Sequence, residues 1–167
     1  MEWITRHPDC VEGFKRESCF TLEYSRDRIL HAVGQLNTDQ LWWRPDEAMH
    51  AVGNIVLHVC GNLRQWIVCG VGGLPDDRDR PAEFAHREPI ASDVLAVKLG
   101  ETVKQASAAI MAVTEAELMR PRFVQITRVT GLGAIYHSVA HLEGHAQEII
   151  YIARLQLRGD YRFKNEY

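Results

Sequence analysis

Apolar side chains recur at steps of three and four residues in four separate stretches of the chain, the period of an amphipathic helix rather than of a strand. In the first, about Asp9 to Leu36, the positions Val11, Phe14, Ser18, Leu22, Ser25, Ile29, Ala32 and Leu36 share one face. The middle of that face is polar. Ser18, Thr21 and Ser25 stand where a purely structural core would carry aliphatics, and a buried hydroxyl needs a partner. The second stretch, about Ala51 to Cys69, turns Ile55, His58, Val59, Asn62, Trp66 and Cys69 inward. His58 and Asn62 are therefore polar groups one turn apart on an otherwise apolar stripe, and Gly70, Gly72 and Gly73 break the helix after it. The third runs from Ser92, its expected cap, to about Val113, with Leu95, Leu99, Thr102, Ala106, Ile110 and Val113 inward. Thr130 is placed to cap the fourth, about Leu132 to Leu157, with Gly159 just past its end.

The connections carry turn chemistry. Asn37, Thr38 or Asp39 can cap a short helical turn that Pro45 stops, and Trp42 and Trp43 pack this corner onto the helices. From Leu74 to about Ala91 the charge cluster DDRDR and the prolines Pro81 and Pro89 read as a surface connection, long enough to lie across one end of the bundle. The segment TEAELMRPRFVQITRVT reads as a connection whose FVQIT core is locally extended. Four amphipathic helices joined in this way predict an all-α fold, an antiparallel four-helix bundle with a long charged loop between helices 2 and 3, in one domain over residues 1–167.

Composition narrows the function classes. At 167 residues, 46% hydrophobic and 25% charged, the chain can bury a real core. A net charge of -3 offers no basic field for nucleic acid or an anionic membrane surface. No run approaches the roughly 18 apolar residues of a membrane span, and the N-terminus lacks the apolar stretch of a signal peptide, so a cytoplasmic protein is expected. The four cysteines Cys10, Cys19, Cys60 and Cys69 lack CxxC spacing and are expected to be buried small hydrophobes in a reducing compartment.

The candidate chemistry lies in YHSVAHLEGHAQEI on the fourth helix. His137, His141 and His145 follow at four-residue intervals, each step turning the helix by about 40°, so consecutive members can meet one ion. Glu148 lies close to the same line. An i, i+4 histidine pair needs a third ligand from elsewhere, and the inward His58 supplies a candidate. Spacing leaves both His137 with His141 and His141 with His145 open. His7, His31, His50 and His86 have no partner at such spacing and are read as structural or exposed. No HExxH is present, so Asn62, His137 and Glu148 are the polar groups expected to orient a ligand or a bound water.

LNTDQLWWRPDEAMHAVGNIVLHVCGNLRQWI, followed much later by HSVAHLEGHAQEI, resembles the DinB-like (YfiT-like) metalloprotein superfamily over essentially the whole chain. The shared features are a proline, a glycine, a histidine with a tryptophan two turns on, and a late HxxxH helix. The resemblance implies one metal ligand from the second helix and two from the last, which fall here on His58, His141 and His145 and leave His137 as a neighbour. It also implies a divalent transition metal, with zinc or nickel the first expectations, and thiol-dependent chemistry with a low-molecular-weight thiol. Two functions follow as expectations: a metal-dependent enzyme activating a thiol or water against a small-molecule electrophile, or a non-catalytic metal-sensing or metal-stabilised bundle acting through a partner. A third, weaker reading is a metal-free bundle whose histidines only make hydrogen bonds. A homodimer formed by helix packing suits either metal-bound reading.

Overall fold

The computed structural model describes residues 9–164. Among them the chain is mostly helical with one small two-stranded sheet. Helix α1, Cys10–Val33, starts where the Asp9 carboxylate accepts from Glu12 N at 2.8 Å. Asn37 and Gln40 form a capping box for the short α2, Thr38–Trp42. Helix α3, Val52–Leu63, passes directly into a π-helical turn, Arg64–Cys69. Helices α4, Arg80–Ala85, α5, Ser92–Ala112, and α6, Glu115–Met119, lead to strands β1, Pro121–Val124, and β2, Thr127–Thr130. Helix α7, Gly131–Leu157, follows β2 without a break, and the Thr130 hydroxyl accepts from Gly133 N at 3.0 Å. The strands are antiparallel, with Pro121 opposite Thr130 and Val124 opposite Thr127. No helix among the described residues is long and apolar enough to cross a membrane.

Helix α1 lies against α5 and α7, and α3 lies against the same two. Between them Leu22, Ile29, Leu63, Leu99, Ile110 and Leu142 are fully buried. Each such aliphatic contributes roughly 1.5–3 kcal/mol by leaving water. The polar middle of α1 finds its partner on α7. The Ser25 hydroxyl donates to Glu143 Oε2 at 2.5 Å, and Arg28 Nη1 pairs with Glu143 Oε1 at 2.7 Å. Thr21 instead donates within its own helix, to Glu17 O at 2.9 Å.

Several expectations change in detail. The 51–69 helix ends as a π-turn, in which Gln65, Trp66, Ile67, Val68 and Cys69 are all buried, so a strict 3.6-residue stripe no longer describes it. Ser92 is the first residue of α5 rather than its cap, because Ala91 takes the extended cap conformation and offers no side-chain bond. Val103 is buried in α5 where Thr102 was expected. The 114–130 connection holds α6 and the β1–β2 hairpin, and that sheet qualifies the all-α expectation. The 74–91 segment is more than a surface connection: it carries α4, which packs on α3. The four cysteines are free thiols; Cys60 and Cys69 are buried, Cys19 is half-buried, and Cys10 is exposed because it opens α1 at the surface. Burial pushes the Cys60 thiol up to about 11.

Close approach at Gly53 seats α2. A β-carbon there would stand 2.6 Å from the Trp42 ring, whose Nε1 donates to Ile90 O at 3.0 Å. Gly53→Ala should therefore cost about 1–3 kcal/mol of overpacking, read as a lower denaturant midpoint with an unchanged slope. Burial alone would raise the Glu143 carboxyl, but the Ser25 hydroxyl and the Arg28 guanidinium outweigh it and hold the group below its ordinary 4.5. A carboxyl lowered in the folded state stabilises fully above its unfolded value, and that stability is lost as pH falls through the folded value. In metal-free protein Glu143→Gln should thus flatten the stability profile below about pH 4.5; an unchanged acid limb would show that the contact contributes nothing.

Candidate metal centre

Three imidazoles from two helices converge in one place. His58 sits on the inward face of α3, 5% exposed, and His141 and His145 occupy successive turns of α7, half-buried. One nitrogen from each lies within 4.8 Å of the other two. His58 Nε2 is 3.2 Å from His141 Nε2, and the ring centroids are 5.0, 5.2 and 4.5 Å apart for His58–His141, His58–His145 and His141–His145. Two nitrogens bound at about 2.0–2.1 Å to one tetrahedral ion stand roughly 3.3 Å apart. The His58–His141 spacing matches that arrangement, and the His145 nitrogen lies within 4.8 Å of both.

Carboxylates back two of the rings. Glu83 Oε2 lies 3.0 Å from His58 Nδ1, where it can accept that nitrogen's proton and turn the Nε2 lone pair toward His141; Arg78 Nη2 stands 3.1 Å from the same Nδ1. Glu148 Oε2 does the same for His145, 2.6 Å from its Nδ1. Two of the three rings thus have a carboxylate against Nδ1, the contact that orients a metal-ligating imidazole. Burial, then the neighbouring His145, His58, His137 and Arg78, push His141 down to about 3, so it stays neutral throughout the physiological range. Its Nδ1 is buried with no hydrogen-bond partner among the described residues. Three imidazole nitrogens brought together from two helices, with the His141 ring held neutral, fit a divalent transition metal.

Behind His58 lies a buried ion pair from the 74–91 segment. Arg78 binds Glu83 in two places, Nε to Oε1 at 2.7 Å and Nη2 to Oε2 at 2.9 Å, with side chains only 3% and 11% exposed. Burial alone would raise the Glu83 carboxyl, and the bonds from Arg78 and His58 hold it below the ordinary range. The pair fits only because position 61 is glycine, where a β-carbon would collide with the Glu83 carboxylate and the Arg78 guanidinium. Asn54, fully buried, anchors the segment by donating to Glu83 O at 2.9 Å and His86 O at 3.0 Å. The Phe84 ring lies between His50 and His58, at 4.3 and 4.6 Å.

The other candidates fall in different places. His137 packs against Trp66 with ring centroids 4.1 Å apart, tilted by 35°, and stays outside the trio, 5.7 Å from the His141 ring. Asn62 accepts from the Ser138 hydroxyl at 2.8 Å, a buried tie between α3 and α7 rather than a contact to an imidazole. Glu148 does contact a ring of the trio. His31, His50 and His86 lie outside the cluster, and His7 lies outside the described residues. Arg78 and Glu83 escape sequence reasoning because a run of alternating charges reads as solvated surface. Asp79 followed by Pro81, the latter in the first turn, is a helix-start signature, and it could have placed Glu83 on a helix.

Removing the brace should loosen the trio without emptying it. Glu83→Gln is expected to weaken zinc binding about 10–100-fold, the usual effect of losing a ligand's hydrogen-bond partner. Gly61→Ala, which displaces both Arg78 and Glu83, should weaken it at least as much. Competition against a chromophoric chelator measures both, and parental affinity in both variants would remove the brace from the account.

A family profile described as a protein of unknown function, DUF1572, matches residues 10–164. No curated protein matches the chain. Among solved structures, a conserved protein from Enterococcus faecalis is 17% identical, with 84% of this chain and 95% of that chain covered at a TM-score of 0.69. A DinB-like protein, YjoA, from Bacillus subtilis is 16% identical, with 88% and 96% covered at a TM-score of 0.65. At such identities the likeness speaks for the fold alone. The chain belongs to the DUF1572 family, a DinB-like family of proteins of unknown function.

Proposed function

We propose that this protein binds one divalent transition metal through His58, His141 and His145, and that it is a metal-dependent enzyme activating a thiol or water for attack on a small electrophile. The observation that carries the reading is the meeting of three imidazole nitrogens within 4.8 Å, with a carboxylate against two of the rings. Nitrogen donors favour zinc, nickel, cobalt or ferrous iron over magnesium or calcium, and zinc or nickel are the ions we favour. Bound by three uncharged ligands, such an ion supplies Lewis acidity, lowering the pKa of a bound water toward about 7 and stabilising a thiolate.

The chain's own groups have separate tasks in this reading. Glu83 and Glu148 keep the lone pairs of His58 and His145 directed inward. The neighbouring His137, its basicity lowered by burial, presents a largely neutral ring that can take up a proton released beside the trio. The four long helices act as an antiparallel four-helix bundle in a single domain, a scaffold that brings facing side chains to one point. A cytoplasmic location is in keeping with four free thiols. A homodimer is compatible with the proposal, as is a low-molecular-weight thiol as co-substrate.

A second reading, a metal-stabilised bundle acting through a partner, is favoured by the hairpin, where Phe123 is 73% and Ile126 95% exposed. The ion's remaining coordination position separates the two. Exchangeable solvent there supports catalysis, and a further protein ligand supports the structural role.

Metal analysis of untagged protein should find about one equivalent per chain, lost in His58→Ala, because removing one of three ligands opens the site. Substoichiometric metal that dialysis against zinc or nickel does not restore would reject the site. A turnover screen with thiols and electrophiles, run on parent and His141→Ala, tests the chemistry. Equal rates from both would reject a metal-centred mechanism.

A further inference from the structure

The brace behind His58 extends further than its ion pair. Gln65, on the π-helical turn and 8% exposed, spends its whole amide on neighbours outside α3. Its Oε1 accepts from Arg78 Nη1 at 2.9 Å and from Gln125 Nε2 at 2.5 Å, and its Nε2 donates to Asp76 Oδ2 at 2.7 Å. Asp76 in turn accepts from the Arg78 backbone N–H at 3.1 Å. A continuous chain of contacts therefore runs Gln125, Gln65, Arg78, Glu83, His58. It links the tip of the β1–β2 hairpin to a ring of the histidine trio through groups that are mostly buried.

Two further observations mark the hairpin end of this chain as specified. The hairpin is fastened to the end of the π-turn: Arg122 Nη1 donates to Gly70 O at 2.8 Å, and Val124 packs where a side chain at Gly70 would collide with it. At its tip Gln125 has φ +54, in the left-handed region that glycine or asparagine normally fills. Glutamine gains nothing from that backbone; the contact its side chain makes with Gln65 is the compensating interaction visible in the structure.

We infer that Gln65 and Gln125 are positioning residues for the histidine trio. They fix the Arg78 guanidinium, and Arg78 and the Glu83 it holds both contact His58 Nδ1, at 3.1 and 3.0 Å, and set the tilt of that ring. The inference rests on the metal-binding reading above. Its consequence is that metal affinity and ligand-field geometry depend on two uncharged side chains, neither of which contacts the trio.

The test measures zinc affinity by chelator competition and the visible spectrum of the cobalt(II)-loaded protein, for parent, Glu83→Gln, Gln65→Met and Gln125→Gly. Methionine matches the length of Gln65 without its amide. Glycine at 125 deletes the side chain while relieving the positive φ, so thermal stability should hold or rise and a loss of affinity cannot be attributed to unfolding. The expected losses diminish with distance from the ion: about 10–100-fold for Glu83→Gln, about tenfold for Gln65→Met and about threefold for Gln125→Gly, the scale of a neutral hydrogen bond or a fraction of one. The cobalt bands should shift in all three. Parental affinity and bands in Gln65→Met and Gln125→Gly, with Glu83→Gln still impaired, would overturn the relay and leave the metal site standing. If Gln65→Met does not fold, Gln125→Gly decides alone. A parent that takes up neither zinc nor cobalt would overturn both.

Discussion

Three imidazoles pressed together in a half-buried space cannot satisfy one another. Each neutral ring has one donor and one acceptor, and a second positive charge among them is strongly opposed. His141 shows the consequence, with its basicity suppressed by burial and by its neighbours and its Nδ1 left without a partner. A cluster of this kind is costly as an apolar core and costly as a hydrogen-bond network. It becomes favourable when the lone pairs share a cation, which a cluster of this geometry could hold.

Helix geometry supplies two rings and packing supplies the third. His141 and His145 meet because four residues nearly complete a turn, and His58 meets them because α3 lies against α7. The Ser138–Asn62 bond ties those helices within a turn of the trio. Carboxylates contact two of the rings, one from α7 itself and one from the segment after α3. The second is the more elaborate device, since it places an Arg–Glu pair under the protein surface. Such a pair is seldom stabilising in its own right, because desolvation offsets most of the Coulombic gain. Its value lies in fixing the orientation of His58.

Much of this was legible in the sequence. The helical stretches were visible because their apolar stripes repeat faithfully and their ends carry strong signals, Asn37 and Thr130 above all. The histidines were singled out as polar residues on inward stripes, and the family resemblance chose His141 with His145 over His137 with His141. The structure assembles that same trio and turns His137 onto Trp66. What was not legible depends on contacts distant in sequence. Arg78 and Glu83 look like any solvated charges until Gly61 is seen to leave room for them. The π-turn has no hydrophobic period of its own. Asn62 was expected near the imidazoles because one turn separates it from His58, but Ser138 on the facing helix takes its carbonyl first.

X-ray absorption at the zinc edge of loaded, tag-free protein tests the central claim most directly. Three nitrogen scatterers at about 2.0–2.1 Å, with the multiple-scattering pattern of imidazole, are expected, plus a further light-atom ligand. A sulfur shell near 2.3 Å, or fewer than three imidazoles, would contradict the account.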